Sequence, residues 1–264
     1  MSVTYGAVLE VSQETAGFLS ALLHAERVRR GTRTGTRARS TFKQAILVLR
    51  WLFDDLQMTA LARDNAISLS TGYDYLHEGI AVLAARRPDL RPGPDTGVDA
   101  WWSGKHKHHG GNIQVVSAPD GWPLWTSDVR PRREHDTTAA RADPVLLQRL
   151  RDWVDDGGHA LADLGYEAEA NLLRIPSKKS TGAELTVDQQ AYNAVHSALR
   201  AVGERSNSLL KTTFKALRRY LGCPWRIGDI VAAALVLPHR GHAHDMTTTR
   251  RSLHVITCLL GMAH

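Results

Sequence analysis

The sequence predicts an α/β sheet domain that is preceded by an α-helical domain. From Thr41 the apolar residues recur at the spacing of amphipathic helices, whereas beyond residue 98 strand-like runs come first and then alternate with helical stretches. Residues 86–97 separate the two regions, because three Pro and two Gly within twelve residues deny regular structure there. The 264 residues are enough for one large domain or two small ones.

Residues 40–85 have the outline of a helix-turn-helix. The helical periodicity breaks at Asp64-Asn65, and Ser68 or Ser70 can cap a further helix that runs to about Leu83. The second helix of such a motif enters the major groove of DNA. A plain three-helix bundle would give the same pattern, so both interpretations stay open. On the first of them, the DNA-binding residues at the start of the second helix are Ser70, Thr71 and Tyr73.

The second region is predicted to be a sheet with covering helices. Its first two strands are separated by Pro119-Asp-Gly, which suits a hairpin turn. The tail beyond residue 240 has no clear pattern, and Cys258 to Met262 is predicted as a short helix of no special role. The predicted strands cover residues 112–118, 122–127 and 160–163, and the predicted helices cover residues 137–153 and 188–220.

The charge balance favours a nucleic-acid partner. The chain carries 33 Lys and Arg against 27 Asp and Glu, a formal net charge of +6 with a pI near 9.5. A basic balance is expected of such a partner because neutralised phosphates supply most of the non-specific affinity. Residues 26–39 hold six Arg among Gly and Thr and are predicted to form an exposed basic arm. This arm is either a solvated charge run or a phosphate contact.

Cysteine usage and hydropathy predict a cytoplasmic protein without a membrane partner. Cys223 and Cys258 stand in no metal-binding spacing, and such usage suits a reducing compartment. The longest apolar run, Ile230 to Leu237, is too short to span a bilayer. Residues 1–6 show no charged-then-apolar targeting pattern.

Three acidic residues stand where a metal site would need them. Asp163 ends a short apolar strand, Asp136 opens a helix and Glu204 lies in the long helical stretch. Carboxylates at a strand end and on a facing helix can form a cage of hard oxygens for Mg²⁺, which in turn can activate phosphodiester displacement. Lys211 follows Glu204 by seven residues, about two helical turns, and could meet a phosphate from the same face. A helix cap, a turn former and a solvated face are the simpler roles of these residues, and they stay open.

Five motifs in order resemble those of DDE transposases from bacterial insertion sequences, in the insertion-sequence family five and Harbinger-like group. Arg200-x3-Glu204-x6-Lys211 is similar to the Tyr-x2-Arg-x3-Glu-x6-Lys motif, with Ser197 in place of the Tyr. The other four motifs are Trp102-Ser-Gly-Lys105-x4-Gly110-x-Asn112, Pro119-Asp-Gly with Leu124-Trp125, His135-Asp136-x-Thr-Ala-Ala-Arg141, and Ala162-Asp163-x-Gly-Tyr166.

The resemblance implies an RNase H-like mixed sheet and a bacterial, nucleoid-associated transposase. Such an enzyme uses Mg²⁺ (or Mn²⁺) to cut and join double-stranded DNA at terminal inverted repeats and a target, as a homodimer on the paired ends. The implied organisation is a basic arm with a short helix (1–39), a helix-turn-helix domain (40–85), a linker (86–97), an endonuclease domain (98–240) and a tail (241–264). The implied site residues are Asp163 and Glu204 as catalytic and metal-binding acids, Asp136 as a further metal ligand, and Lys105, Lys211 and Arg200 as residues facing DNA.

The family's first catalytic Asp has no counterpart in the chain. In the family it ends a central first strand before the Ser-Gly-Lys stretch, but between residues 84 and 100 no apolar run ends in an acid. Asp95 and Asp99 are the nearby acids, and neither follows such a run. We therefore expect an internally deleted member whose sheet lacks its first strand, leaves the neighbouring edges unpaired and cleaves little DNA. The alternatives to an active transposase are a non-catalytic DNA-binding derivative that occupies the element ends, and a decayed product with no stable fold.

Overall fold

The computed structural model describes residues 9, 11–86, 102–103, 108–143, 145–218, 220, 226–241 and 253–262. Its first part consists of four helices, three of which are capped at the N-terminus by a serine. The side chains of Ser12, Ser40 and Ser68 each accept a hydrogen bond from a backbone N–H in the first turn of the helix that follows. Of the two residues predicted to cap this last helix, Ser68 and Ser70, Ser68 is the cap. The helices are α1 (Gln13–Arg29), α2 (Thr41–Asp54), α3 (Met58–Asp64) and α4 (Leu69–Ala84).

A four-residue connection, residues 65–68, joins α3 to α4. Asn65 closes α3 by donating its side-chain amide to the carbonyl of Leu61 at 2.8 Å, and Ala66 takes a positive φ of 47° that turns the chain. Ser68 then starts α4. The outline of two helices around a tight turn agrees with the sequence prediction, while its DNA-binding role stays a prediction.

The Arg-rich segment between α1 and α2 is folded onto the helices, so the prediction of an exposed basic arm is wrong for several of its residues. Arg27 donates to the side chain of Gln44 at 2.7 Å, and Arg37 donates to the carboxylate of Glu78 at 3.1 Å. Arg39 donates to the backbone carbonyl of Asn65 at 2.6 Å. Gln44 and Glu78 are buried within the helices and need polar partners, which the Arg side chains supply.

The second part is a sheet with the strand order β1-β2-β6-β5, and β3 and β4 also pair with β2. β2 runs antiparallel to β1, β3, β4 and β6, whereas β5 and β6 are parallel. The hairpin of β2 and β3 confirms the first two predicted strands. The strands are β1 (Trp102–Ser103), β2 (His108–Ser117), β3 (Pro123–Thr126), β4 (Arg130–Pro131), β5 (His159–Leu161) and β6 (Leu253–Met262).

The single helix predicted over residues 137–153 is instead two helices, α5 (Asp136–Arg141) and α6 (Leu146–Asp155). The side chain of Asp143 accepts the backbone N–H groups of Val145 and Leu146, both at 3.0 Å, and so begins a new helix. The later helices are α7 (Val187–Thr213) and α8 (Ile227–Gly241), with 3₁₀ turns at Leu164–Glu169 and Lys215–Leu217.

The carboxyl-terminal tail departs most from the sequence prediction. Cys258 to Met262 was predicted as a helix but belongs to β6, which lies between β2 and β5. The edges of β2 and β5 that were expected to be unpaired are therefore paired with this strand. The run Val255-Ile-Thr supplies the β-branched residues that favour a strand, and two-sided pairing satisfies its backbone groups.

One hydrophobic core joins the helices α1–α4 to one face of the sheet. Ile113 and Val115 of β2 belong to it together with α8, whereas Val116 belongs to a smaller core with β5, α6 and Tyr166 on the other face. The alternation along β2 therefore directs Asn112 and Gln114 away from the helical part. Within the described ranges, no helix combines the length and the apolar character that a membrane crossing requires.

Gly79 allows α4 to pack closely on α2. A Cβ at this position would lie 2.4 Å from Cγ2 of Val48. We expect Gly79→Ala to lower the free energy of unfolding by about 1–3 kcal/mol through overpacking, although Ala is the better helix former. Gly17→Ala in α1 is the matched control, because its Cβ would meet no atom within 4 Å and should stabilise the chain by up to about 1 kcal/mol. Denaturant unfolding measures both, and equal stabilisation by the two substitutions would contradict the packing argument.

Candidate active site and DNA-binding helix

Asp163 and Glu204 are held together by the guanidinium group of Arg200. Nη1 of Arg200 lies 3.1 Å from Oδ2 of Asp163 and 3.4 Å from Oε1 of Glu204. Asp163 directly follows the β5 region, and the other two residues share one face of α7 at a spacing of four. The side chains of Asp163 and Glu204 are 39% and 49% exposed. The two acids therefore lie at an accessible surface with a cation of the chain itself between them.

Asp136 joins this group through Gly165. If Gly165 carried a Cβ, that atom would lie 2.8 Å from Oδ1 of Asp163 and 2.9 Å from Oδ2 of Asp136. The two carboxylates thus flank a position that only a glycine leaves open. Thr137 donates to the carbonyl of Gly165 at 2.5 Å and fastens α5 beside the 3₁₀ turn. The structure accordingly brings Asp136, Asp163 and Glu204 into one group, which is named the acid group below.

A buried chain of amide and hydroxyl groups orients Asp136. Asn112 donates to Oδ1 of Asp136 at 2.8 Å, and Gln114 donates to Oδ1 of Asn112 at 2.7 Å. The hydroxyl of Tyr166 donates to Oε1 of Gln114. All three of these side chains are buried, so their bonds fix the carboxylate of Asp136 with little freedom. Asp136 begins α5 but does not cap it, because the cap position is His135.

Sequence reasoning missed this network. Asn112 and Tyr166 appeared within the motifs without a role, and Gln114 was not singled out. The signal that could have found them is the alternation Asn112-Ile-Gln-Val-Val, which places two amides on one face of an otherwise apolar strand. Two polar side chains on a buried strand face need partners, and a nearby acid is a natural one.

The other predicted site residues are less closely joined to the acid group. Lys211 lies two turns after Glu204 near the end of α7 and is partly buried. α7 begins at a capping box formed by Thr186 and Gln189, which fixes the residue at which the helix starts. Lys105, Asp95 and Asp99 lie outside the described residues.

The first turn of α4 carries the predicted DNA-binding residues on its outer side. Ser70 is exposed, Thr71 is partly exposed, and Tyr73 is 45% exposed. Tyr73 also lines a cleft of about 940 Å³ between α4 and α8. The opposite face of α4 is buried in the main core. Exposed side chains on the first turn are what a recognition helix requires.

A comparison with known families matches the segment of the chain that contains these acids. Residues 90–239, more than half of the chain, match the family described as DDE superfamily endonuclease. The chain belongs to this family. The matched segment includes the whole acid group and ends before β6. No curated protein matches the chain. No solved structure matches it either.

DDE superfamily endonucleases generally use divalent metal ions, but the acid group does not fit such an ion as it stands. Arg200 occupies the space between Asp163 and Glu204, and one oxygen of Asp136 is bonded to Asn112. Throughout the described ranges, no three His, Cys, Asp or Glu side chains are arranged to hold a metal. A metal ion would have to compete with an internal guanidinium group.

His77 on α4 makes the stability of this helix depend on pH. Burial and the nearby positive charge of Arg226 lower the pKa of His77, against a smaller opposing effect of Asp74. The unfolded chain therefore binds the proton more readily, so stability falls as the pH drops through the unfolded value near 6.5. We expect His77→Gln to remove this part of the acid destabilisation. The measurement is thermal unfolding of both proteins between pH 7.5 and 5.5, and a parallel decline in the two would contradict it.

Proposed function

We propose that this endonuclease-family protein is a transposase of the bacterial insertion-sequence type that binds the ends of its element but does not cut them. It would act in the nucleoid on double-stranded DNA that carries the terminal inverted repeats. The observation that carries this proposal is Arg200, whose guanidinium group stands between Asp163 and Glu204. Because the family motif also has an Arg at this position, the second support is the missing counterpart of the first catalytic Asp between residues 84 and 100. Together the two observations favour a DNA-binding derivative over a metal-dependent enzyme for cleavage and strand transfer.

DNA is the expected binding partner because nuclease domains of this superfamily act on DNA. The placement of α3 and α4 ahead of the endonuclease domain supports a transposase in particular, since a recognition helix would direct the domain to particular ends. The net charge of +6 supports binding to phosphate along the flanking duplex.

Cleavage needs divalent metal ions, and the acid group is not arranged to hold them. Phosphodiester displacement by this chemistry relies on divalent ions to stabilise the attacking and leaving oxygens. Arg200 already offsets one of the two negative charges of Asp163 and Glu204 that would attract those ions. An active transposase remains the second candidate, favoured by the convergence of Asp136, Asp163 and Glu204, and it would require Arg200 to move when DNA binds.

The proposal is tested by binding to DNA fragments from the flanks of the gene. We expect tight binding to a duplex with the terminal repeat and much weaker binding to a scrambled duplex of equal length at the same salt concentration. Equal affinity for both duplexes would contradict an end-binding function.

A homodimer on paired ends is a separate prediction, and the mass of the complex in light scattering measures it.

A further inference from the structure

The strand at the centre of the sheet comes from outside the segment that matches the endonuclease family. The match ends at residue 239, whereas β6 begins at Leu253. β6 pairs with β2 from Gly110↔Met262 to Ser117↔Val255, and with β5 from His159↔Leu253 to Leu161↔Val255. Within the described sheet, β6 is the connection between β2 and β5.

These two neighbours of β6 carry the two halves of the acid group. β2 supplies Asn112, which orients Asp136, and β5 leads into Asp163. Since β2 and β5 are bonded to β6 and lie on its opposite sides, the spacing of the two halves depends on the width and register of this strand. Without it, each half would end in an open strand edge.

We propose that β6 is a positioning strand, inserted by the same chain, that holds the two halves of the acid group in register. Eleven residues, 242–252, separate α8 from β6, and a chain of that length reaches up to about 36 Å. The linker is therefore long enough for β6 to be inserted by the same chain. The alternative, in which a second copy of the chain donates the strand, is distinguished by the test below.

The register also identifies which positions of β6 share a sheet face with the amide network that orients Asp136. Position 258 is opposite Gln114, so it belongs to the sheet face on which Gln114 contacts Asn112. Position 257 is opposite Val115, on the face that packs on the helices. Residues 253–262 include no Asp or Glu, so the strand completes the sheet without adding a carboxylate.

Disulfide trapping tests the placement in the full-length chain. Residues opposite each other in antiparallel strands have Cα atoms about 4.5–5.5 Å apart, within the range of a disulfide. With Cys223→Ser as background, we expect Gln114→Cys to form a bond with the native Cys258 within one chain, seen by mass and by gel migration without reductant. Ser117→Cys alone is the control that should not react with Cys258, because it pairs three positions away.

A second pair protects the test from a folding defect of Gln114→Cys. Ser117→Cys combined with Val255→Cys and Cys258→Ser joins another opposed pair while keeping the amide network. Bonds within one chain in either design support the proposal. Absence of a bond in both designs, or bonds only between two chains, would overturn it.

Mn²⁺ binding tests the positioning role, with a readout that simple sheet stability does not change. Leu260→Asp would place a carboxylate opposite Asn112, the residue that donates to Asp136, and we expect the Mn²⁺ affinity of this variant to rise by about tenfold or more over the unmodified chain. Leu259→Asp is the matched control and should show no gain, because position 259 is opposite Ile113 on the face that packs on the helices. Equal affinities in the two variants would overturn the proposed position of β6. This experiment needs no DNA, so its failure is distinguishable from failure of end binding.

Discussion

Replacing Thr71 and Tyr73 together with Ala is expected to lower the affinity for terminal-repeat DNA by about tenfold or more, because each good base contact contributes about 1–3 kcal/mol. Both residues lie within the first five residues of α4, and neither belongs to the buried core, so the fold should persist. Fluorescence anisotropy with a labelled duplex measures the effect at fixed salt concentration.

The matched control for this prediction is Tyr192→Ala. Tyr192 is an exposed tyrosine on α7, 41% accessible against 45% for Tyr73, and lies outside the predicted recognition helix. Its removal should leave the affinity unchanged. An equal loss in both proteins, or no loss in the double substitution, would count against α4 as the recognition helix.

Arg200→Met is expected to give the acid group a measurable affinity for divalent cations. The substitution keeps an unbranched apolar stem but removes the guanidinium group, leaving Asp163 and Glu204 without their shared counter-ion. Two carboxylates near each other then attract a hard cation. We expect the Mn²⁺ affinity, measured by electron paramagnetic resonance, to rise by about tenfold or more. The loss of folding stability should stay below about 1 kcal/mol, because the ion pair is largely solvated.

Arg205→Met is the control for Arg200→Met. Arg205 is the next residue after Glu204 on the same helix and is exposed. The Arg205→Met substitution removes one positive charge from the same region without opening the space between Asp163 and Glu204. If both substitutions raise the affinity equally, the general charge of α7 and not the bridge of Arg200 governs cation binding.

The local features of this protein follow from its sequence more closely than its long-range pairing does. The cap at Ser68, the β2–β3 hairpin and the placement of Asp163 after a short strand depend on a few neighbouring residues, and local patterns predict them. The grouping of Asp163 with Glu204 was inferred from a family resemblance. The bridging role of Arg200 depends on side-chain geometry across elements, which no sequence pattern contains.

The tail and part of the Arg-rich segment were predicted wrongly for a physical reason. Residues 258–262 form a short apolar run. From such a run alone, a helix cannot be distinguished from a buried strand until the partners of the run are known. The partners of β6 lie more than 90 residues away in the chain. Likewise, the sequence around Arg37 suggests a solvated side chain, because the buried Glu78 that it contacts lies far away in the sequence.

The most direct measurement of the central claim is cleavage of a DNA fragment that carries one terminal repeat, with the purified full-length chain and Mg²⁺ or Mn²⁺. Binding is monitored in the same reactions. The arrangement of Arg200 between Asp163 and Glu204 predicts a bound complex with no nicking above the level given by Asp163→Ala. Nicking that depends on the metal ion and disappears in Asp163→Ala would contradict this prediction and establish an active transposase.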